Sequence, residues 1–290
     1  RSMDLIGQFG TGFISTHVLA SRITVNGILK SEEVEDLYSS FQFDLDRSGF
    51  TDKQQLKKAI SSSSRQLSDN TKEVQLVQGE FDTAFTYHIE ETLPGISRGQ
   101  AVQPGLEYVF DVLPYTLAFM PKVKKVTILN HDTSYVSYRK RCFLQDRESD
   151  DFIVRIDTEN SVDESTSVIE RRFVVKNQGD ASAIVCVKGD RIQPFPDNVT
   201  KLFCGLPMIG TEDFAFPVVV NSAKFVPKTE RNGIRLSPNS EANRNIVVDA
   251  VVAYGSLVQD LITRGVGGFQ HISSWPSFTG EYHERQWFKE

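Results

Sequence analysis

From residue 122 onward the chain is a succession of short segments, "VKKVTIL", "TSYVSYRKRCFL", "DFIVRIDT", "VIERRFVVKN" and "AIVCVKGDRI", separated by polar turns. Alternating apolar and polar residues turn one face of a strand to a core and the other to water, and short turns join neighbours antiparallel. The pattern predicts a mostly antiparallel sheet. "LFCGLPMIGTEDFAFPVVVNSAKFVP" extends that sheet. "SPNSEANRNIVVDAVVAYGSLVQDLITRGVGG" predicts a helix, with Ser240 in a capping position, an apolar stripe through Ile246, Ala250, Leu257 and Leu261, and glycines closing it.

The earlier residues have another texture. Phe13–Leu19 reads as a short helix, "SRITVNG" as a strand ended by Asn-Gly, and "FQFDL" as a second strand. Residues 51–67 have helical spacing, with Leu56, Ile60 and Leu67 on one side. "DTAFTYHIEE" alternates like a half-buried strand, with Ala84, Thr86 and His88 on one face and Phe85, Tyr87 and Ile89 on the other. Residues 103–121 predict a helix broken near Pro114. The change at Pro121 divides the chain into an α+β unit, 1–121, and a β-rich unit, 122–290, finished by a helix.

Composition narrows the function classes. A 39% hydrophobic, 24% charged chain of 290 residues has the make-up of a soluble globular protein. Its net charge of −6 supplies no broad basic field, so nucleic acid is not indicated as a partner. Cys142, Cys186 and Cys204 are odd in number and far apart, which predicts buried free thiols and a reducing, cytoplasmic setting. No run approaches the roughly 20 apolar residues of a membrane span. The opening "RSMDLIG" lacks an initiator Met, and the expectation is a fragment of something longer.

The densest chemical signal is "LIGQFGTGFISTHVLA" at 5–20. A P-loop would need Gly-Lys-Ser/Thr after its glycines, and a dinucleotide fold would need G-x-G-x-x-G; here the spacing is G-x-x-G-x-G. A glycine-rich lid running into a helix N-terminus remains, where free N–H groups receive phosphate oxygens. A tight glycine turn packed under a helix fits the spacing as well.

"IGQFGTGFISTHVLASRITV" resembles the ATP lid of the GHKL superfamily (gyrase, heat-shock protein 90 chaperones, histidine kinases, MutL), and most of all its chaperone version. The resemblance implies that Gly7, Gln8, Phe9, Gly10, Thr11, Gly12 and Phe13 bind nucleotide. "FDTAFTYHI" is similar to the strand that carries a nucleotide-contacting Thr, which implies that role for Thr83. "GLEYVFDVLPYTLAFMPKVKKVTI" resembles the exit from the ATPase domain, and "FPVVVNSAKFVPKTERNGIRL" resembles sacsin-type members. The implied architecture is the C-terminal part of a GHKL (Bergerat) ATPase sandwich, then a ribosomal-S5-like transducer domain. The implied cofactors are ATP and Mg²⁺, and the implied partners are a second copy of the chain or a protein client. In such proteins a basic residue of the second domain reaches the γ-phosphate, which makes Lys228 and Arg231 candidates; a solvated basic loop is the alternative.

The family's E-x-x-x-N and D-x-G-x-G boxes precede the lid, so they are expected ahead of Arg1. Glu241 and Asn245 have the first spacing, but no D-x-G-x-G follows, and an ordinary capped helix is the expectation. A degenerate, non-enzymatic interaction module is the second reading. A third rests on "DLDRSGFTDKQQ", where Asp44, Asp46, Ser48, Gly49 and Asp52 approximate an EF-hand loop, although Gln55 replaces its bidentate Glu. A strand–turn–helix passage with Asp44 or Asp46 in turn and cap roles fits that stretch equally. The histidines are scattered, no metal site is expected, and His17 is expected to pack.

Overall fold

The computed structural model describes residues 17, 19–30, 37–48, 52–74, 83–89, 95, 98–120, 123–131, 137–148, 150–160, 164–214 and 216–273. They form a mixed α+β chain with two compact units, Arg1–Pro104 and Gly105–Glu290.

The first unit holds a four-stranded antiparallel sheet of β1 (Arg22–Lys30), β2 (Tyr38–Asp46), β3 (Lys72–Val74) and β4 (Thr83–Tyr87), in the order β3-β2-β1-β4. β1 does not end at Asn26-Gly27: Gly27 pairs with Phe41 on one side and Thr83 on the other. A central ladder satisfied on both edges overrides the turn preference of Asn-Gly. Ile23 and Val25 point into a small core with Ala20 and Ile89, packed against Phe41, Phe43, Leu45, Ala101 and Val102. β4 was expected to be half-buried, yet all five of its residues are exposed because it is an outer strand of this sheet.

Helix α1 (Lys53–Asn70) joins β2 to β3. Its expected apolar side is only partly covered: Leu56 and Ile60 are exposed and Leu67 is half-buried, while the buried residue is Ser63. The helix meets β2 through polar groups instead. Gln66 Oε1 accepts from Asp44 N at 2.8 Å, Asn70 Nδ2 donates to the Gln42 carbonyl at 3.1 Å, and Ser63 Oγ donates to the Asp44 carbonyl. β3 pairs with β2 only at Tyr38–Ser40, so α1 satisfies backbone groups along the rest of that edge.

Helix α2 (Arg98–Phe119) runs unbroken through both Pro104 and Pro114. A proline inside a helix costs about 3 kcal/mol, which is the ground for expecting a break at Pro114. Burial outweighs it: Val112, Tyr115, Leu117 and Ala118 are all buried around Pro114, and a fully buried large apolar side chain contributes roughly 1.5–3 kcal/mol.

In the second unit β5 (Lys125–His131), β6 (Ser137–Glu148), β7 (Asp151–Asn160), β8 (Thr166–Gln178) and β9 (Ala181–Lys188) form an antiparallel meander, as their alternation predicts. The sheet continues through β13 (Val219–Asn221), then β11 (Leu202–Cys204) parallel to it, then β12 (Leu206–Pro207); β10 (Arg191–Ile192) pairs with β9. Both faces are covered. Phe173, Val175 and Ile184 pack with α2 residues, with the Tyr115 and Phe173 rings 5.0 Å apart edge to face. Val174, Ala183, Val185 and Val187 point the other way, toward helix α3 (Glu241–Thr263). This accounts for the continuous apolar run "AIVCV" in β9, whose two faces are both inside.

α3 buries Ile246, Ala250, Leu257 and Leu261 as its stripe predicts. Its end is a Schellman turn: Gly265, at φ +71°, donates to the Ile262 carbonyl, and Val266 N donates to the Leu261 carbonyl. Ser240 stands at the N-cap without a side-chain cap bond, because its hydroxyl pairs with Ser237 Oγ at 3.0 Å. Among the described residues α3 is the one helix long and apolar enough to cross a membrane by length and composition, with a mean hydropathy of 1.5 over an 18-residue stretch. Here it packs on β8 and β9.

Candidate functional site

Gly7, Gln8, Phe9, Gly10, Thr11, Gly12 and Phe13 lie outside the described residues. The exit from their segment is described: His17 Nδ1 is 3.1 Å from the Ala20 carbonyl oxygen, and fully buried Ala20 leads into β1. Thr83 opens β4 on the neighbouring strand, opposite Gly27. That register puts it roughly 17 Å along β1 from Arg22, at about 3.4 Å per residue. The residue beside Arg22 is His88, whose N–H donates to the Arg22 carbonyl at 3.1 Å.

His88 completes a polar chain across three strands. Arg22 Nη2 contacts His88 Nδ1 at 3.4 Å, His88 Nε2 lies 2.9 Å from Thr24 Oγ1, and Thr24 Oγ1 donates to Asp44 Oδ1 at 2.6 Å. A guanidinium only donates, so a neutral His88 accepts at Nδ1 and carries its proton on Nε2; the Thr24 hydroxyl passes the direction on to Asp44. Arg22 Nη1 stands 3.8 Å from Asp44 Oδ2. Its evident chemistry is to tie β1, β2 and the end of β4 together beside the exit of the glycine segment.

The EF-hand-like stretch begins in a strand, where a calcium loop requires an entering helix. β2 runs through Asp46, and Asp46 Oδ1 accepts from Ser48 N and Oγ at 2.8 and 2.6 Å. The cap of α1 is neither Asp44 nor Asp46 but Asp52, whose carboxylate accepts from Gln54 N and Gln55 N at 2.7 and 2.9 Å. An open groove of about 390 Å³ between the end of β2 and α1 is lined by Asp44, Asp46, Gln55, Lys58, Ser62 and Gln66. Among the described residues no group of three or more His, Cys, Asp and Glu is placed to hold a metal ion.

In the second unit Lys228 and Arg231 are brought together on one tight hairpin. Lys228 N donates to the Gly233 carbonyl at 2.8 Å, Arg231 N donates to the Lys228 carbonyl at 2.9 Å, and Pro227 bridges to Ile234. Arg231 adopts φ +55°, a left-handed conformation that costs a residue with a side chain about 1 kcal/mol or more. Phe225, Ile234 and Leu236 anchor the two arms in the core. The Arg231 charge partly counters the effect of burial on Cys204, which pushes that thiol up. All three cysteines are free; Cys142 and Cys204 are buried and Cys186 is half-buried, with its thiol pushed up to about 11 by burial.

Sequence reasoning missed two groups. Within "EANRN" it weighed Glu241 and Asn245, which are both exposed, whereas the buried member is Asn243 between them. The signal was there in the helical spacing: Asn243 precedes Ile246, Val247 and Ala250 by three, four and seven residues, on the same buried stripe. Lys201 carried no signal at all. It is half-buried, its Nζ stands 4.0 Å from the centroid of the Phe195 ring, and burial pulls its ammonium down to about 8. Comparison with family models, with curated proteins and with solved structures finds no match to this chain.

Proposed function

We propose that the chain carries the lid and C-terminal half of a GHKL-type nucleotide domain, heat-shock protein 90-like, followed by a ribosomal-S5-like transducer domain. The observation that carries the reading is "IGQFGTGF" in the sequence shortly ahead of β1, the strand whose neighbour β4 opens with Thr83. On this reading Gly7–Phe13 wrap the phosphates of ATP through backbone N–H groups. Lys228 or Arg231 supplies positive charge at the γ-phosphate. Lid closure then drives dimerisation or movement of a protein client in the cytoplasm.

The reacting groups are assigned elsewhere. The Glu that activates water and the Asn that holds Mg²⁺ belong to a box that the family places ahead of the lid, and Glu241 and Asn245 are exposed at the start of α3. Retention on immobilised ATP tests the reading. A form extended upstream by about 100 residues, the size of a small domain, is expected to stay bound through a wash with free tripolyphosphate, while the 290-residue chain is not. Loss of retention in a Gly10→Val, Gly12→Val variant of the long form would place binding at the glycines. No retention of the long form overturns the reading in favour of a non-enzymatic interaction module.

A further inference from the structure

The basic hairpin is held from below by one side chain. Asn243, in the first turn of α3, is 3% exposed, and both of its amide protons and its carbonyl oxygen are in use. Its Oδ1 accepts from Val226 N at 2.8 Å, and its Nδ2 donates to the Val226 carbonyl at 2.9 Å and the Arg235 carbonyl at 3.0 Å. Val226 and Arg235 are the residues immediately outside the Pro227–Ile234 bridge, so the amide spans the base of the hairpin as a neighbouring strand would. Arg244 Nε adds a bond to the Leu236 carbonyl at 2.8 Å. The first turn of α3 therefore grips both arms.

What the grip holds is a conformation the loop would not choose. Asn232 and Gly233 tolerate positive φ best, and Gly233 sits at +153°, yet Arg231 takes the left-handed turn at +55°. Arg141, Arg155, Arg172 and Arg264 are each neutralised by a carboxylate. Arg231 and Arg235 have no ion-pair partner among the described residues. A strained arginine without a counter-charge, on a loop clamped by a buried amide, has the properties of a preorganised anion contact.

We propose that Asn243 is the positioning residue of this hairpin, fixing its backbone so that Lys228 and Arg231 bind a phosphate-bearing anion. The proposal rests on the phosphate reading of the hairpin given above. Two properties separate it from plain structural pinning: anion affinity depends on Asn243, and anion binding tightens the bonds Asn243 makes.

The test uses the 290-residue chain with inorganic tripolyphosphate as probe, titrated calorimetrically. Wild type is expected to bind, Lys228→Gln/Arg231→Gln to lose binding, and Lys224→Gln, outside the hairpin, to keep it. Asn243→Asp retains the acceptor for Val226 N but sets a carboxylate oxygen against two carbonyls; at least tenfold weaker binding is expected. Hydrogen exchange on wild type, which needs no variant to fold, is expected to show the Val226 amide slowed further when tripolyphosphate is added. If the double variant loses binding while Asn243→Asp binds like wild type, or the Val226 amide ignores the anion, Asn243 is only a structural pin and the proposal falls with the hairpin reading intact. If wild type does not bind, or the double variant binds equally, both fall. Retention on ATP by the long form then decides the nucleotide reading separately.

Discussion

Lys201 shows what a single side chain can cost a fold. Its ammonium is pulled down from 10.5 to about 8 by burial, with an aromatic face as its contact. Below pH 8 both folded and unfolded chains carry the charge, and the folded state bears the desolvation penalty in full. Between about 8 and 10.5 the unfolded chain still holds the proton the folded chain has released, so stability rises with pH across that window. Lys201→Met keeps the aliphatic stem and removes the charge. The variant is expected to have a higher urea midpoint than wild type at pH 7. The gap should close as pH climbs toward 10.5, as paired urea titrations at pH 7, 8.5 and 10 would record. No sequence pattern announces such a lysine, because its environment is built from residues distant in the chain. Asn243, by contrast, is legible from its helical spacing to the buried stripe of α3.

At the scale of elements, the sequence conveyed existence better than environment. The stripe of α3 and its closing glycines were readable because both are local. The exposure of β4 and the polar seating of α1 were not, since both depend on where a strand ends up in its sheet. Pro114 misled for the same reason: its local cost was visible, and the burial of Val112, Tyr115, Leu117 and Ala118 that outweighs it was not. The seating of α1 makes its own prediction. Ser63→Ala/Gln66→Ala strips two bonds from the backbone of Asp44. At about 1 kcal/mol per bond, a loss of roughly 2 kcal/mol is expected in chemical denaturation. Backbone exchange at Asp44 should quicken at the same time.

For the whole molecule, α2 decides where the second unit can be cut. The sequence texture changes at Pro121, but Tyr115, Leu117 and Phe119 lie ahead of it and pack against Phe173, Phe203 and their neighbours. A chain beginning at residue 105 is expected to melt cooperatively with a near-ultraviolet signal from its packed aromatic rings. One beginning at residue 122 would leave that face of the sheet open and is expected to lose both. Removing several side chains worth roughly 1.5–3 kcal/mol each exhausts the 5–15 kcal/mol that holds a domain together. A cooperative transition in the shorter piece would show that α2 is dispensable. The site at this scale was only half legible: the basic hairpin stood out as charge, and its clamp came from another segment.

β9 turns Ile184 to one core and Ala183, Val185 and Val187 to the other. A strand packed on a single side can drift in evolution on its watery side, and its history then records relaxed and strict positions in alternation. This one has no relaxed side. Its five central residues should therefore admit few replacements in a saturation library, at odd and even positions alike, and relatives of this chain should be found by this strand when little else of the second unit is recognisable.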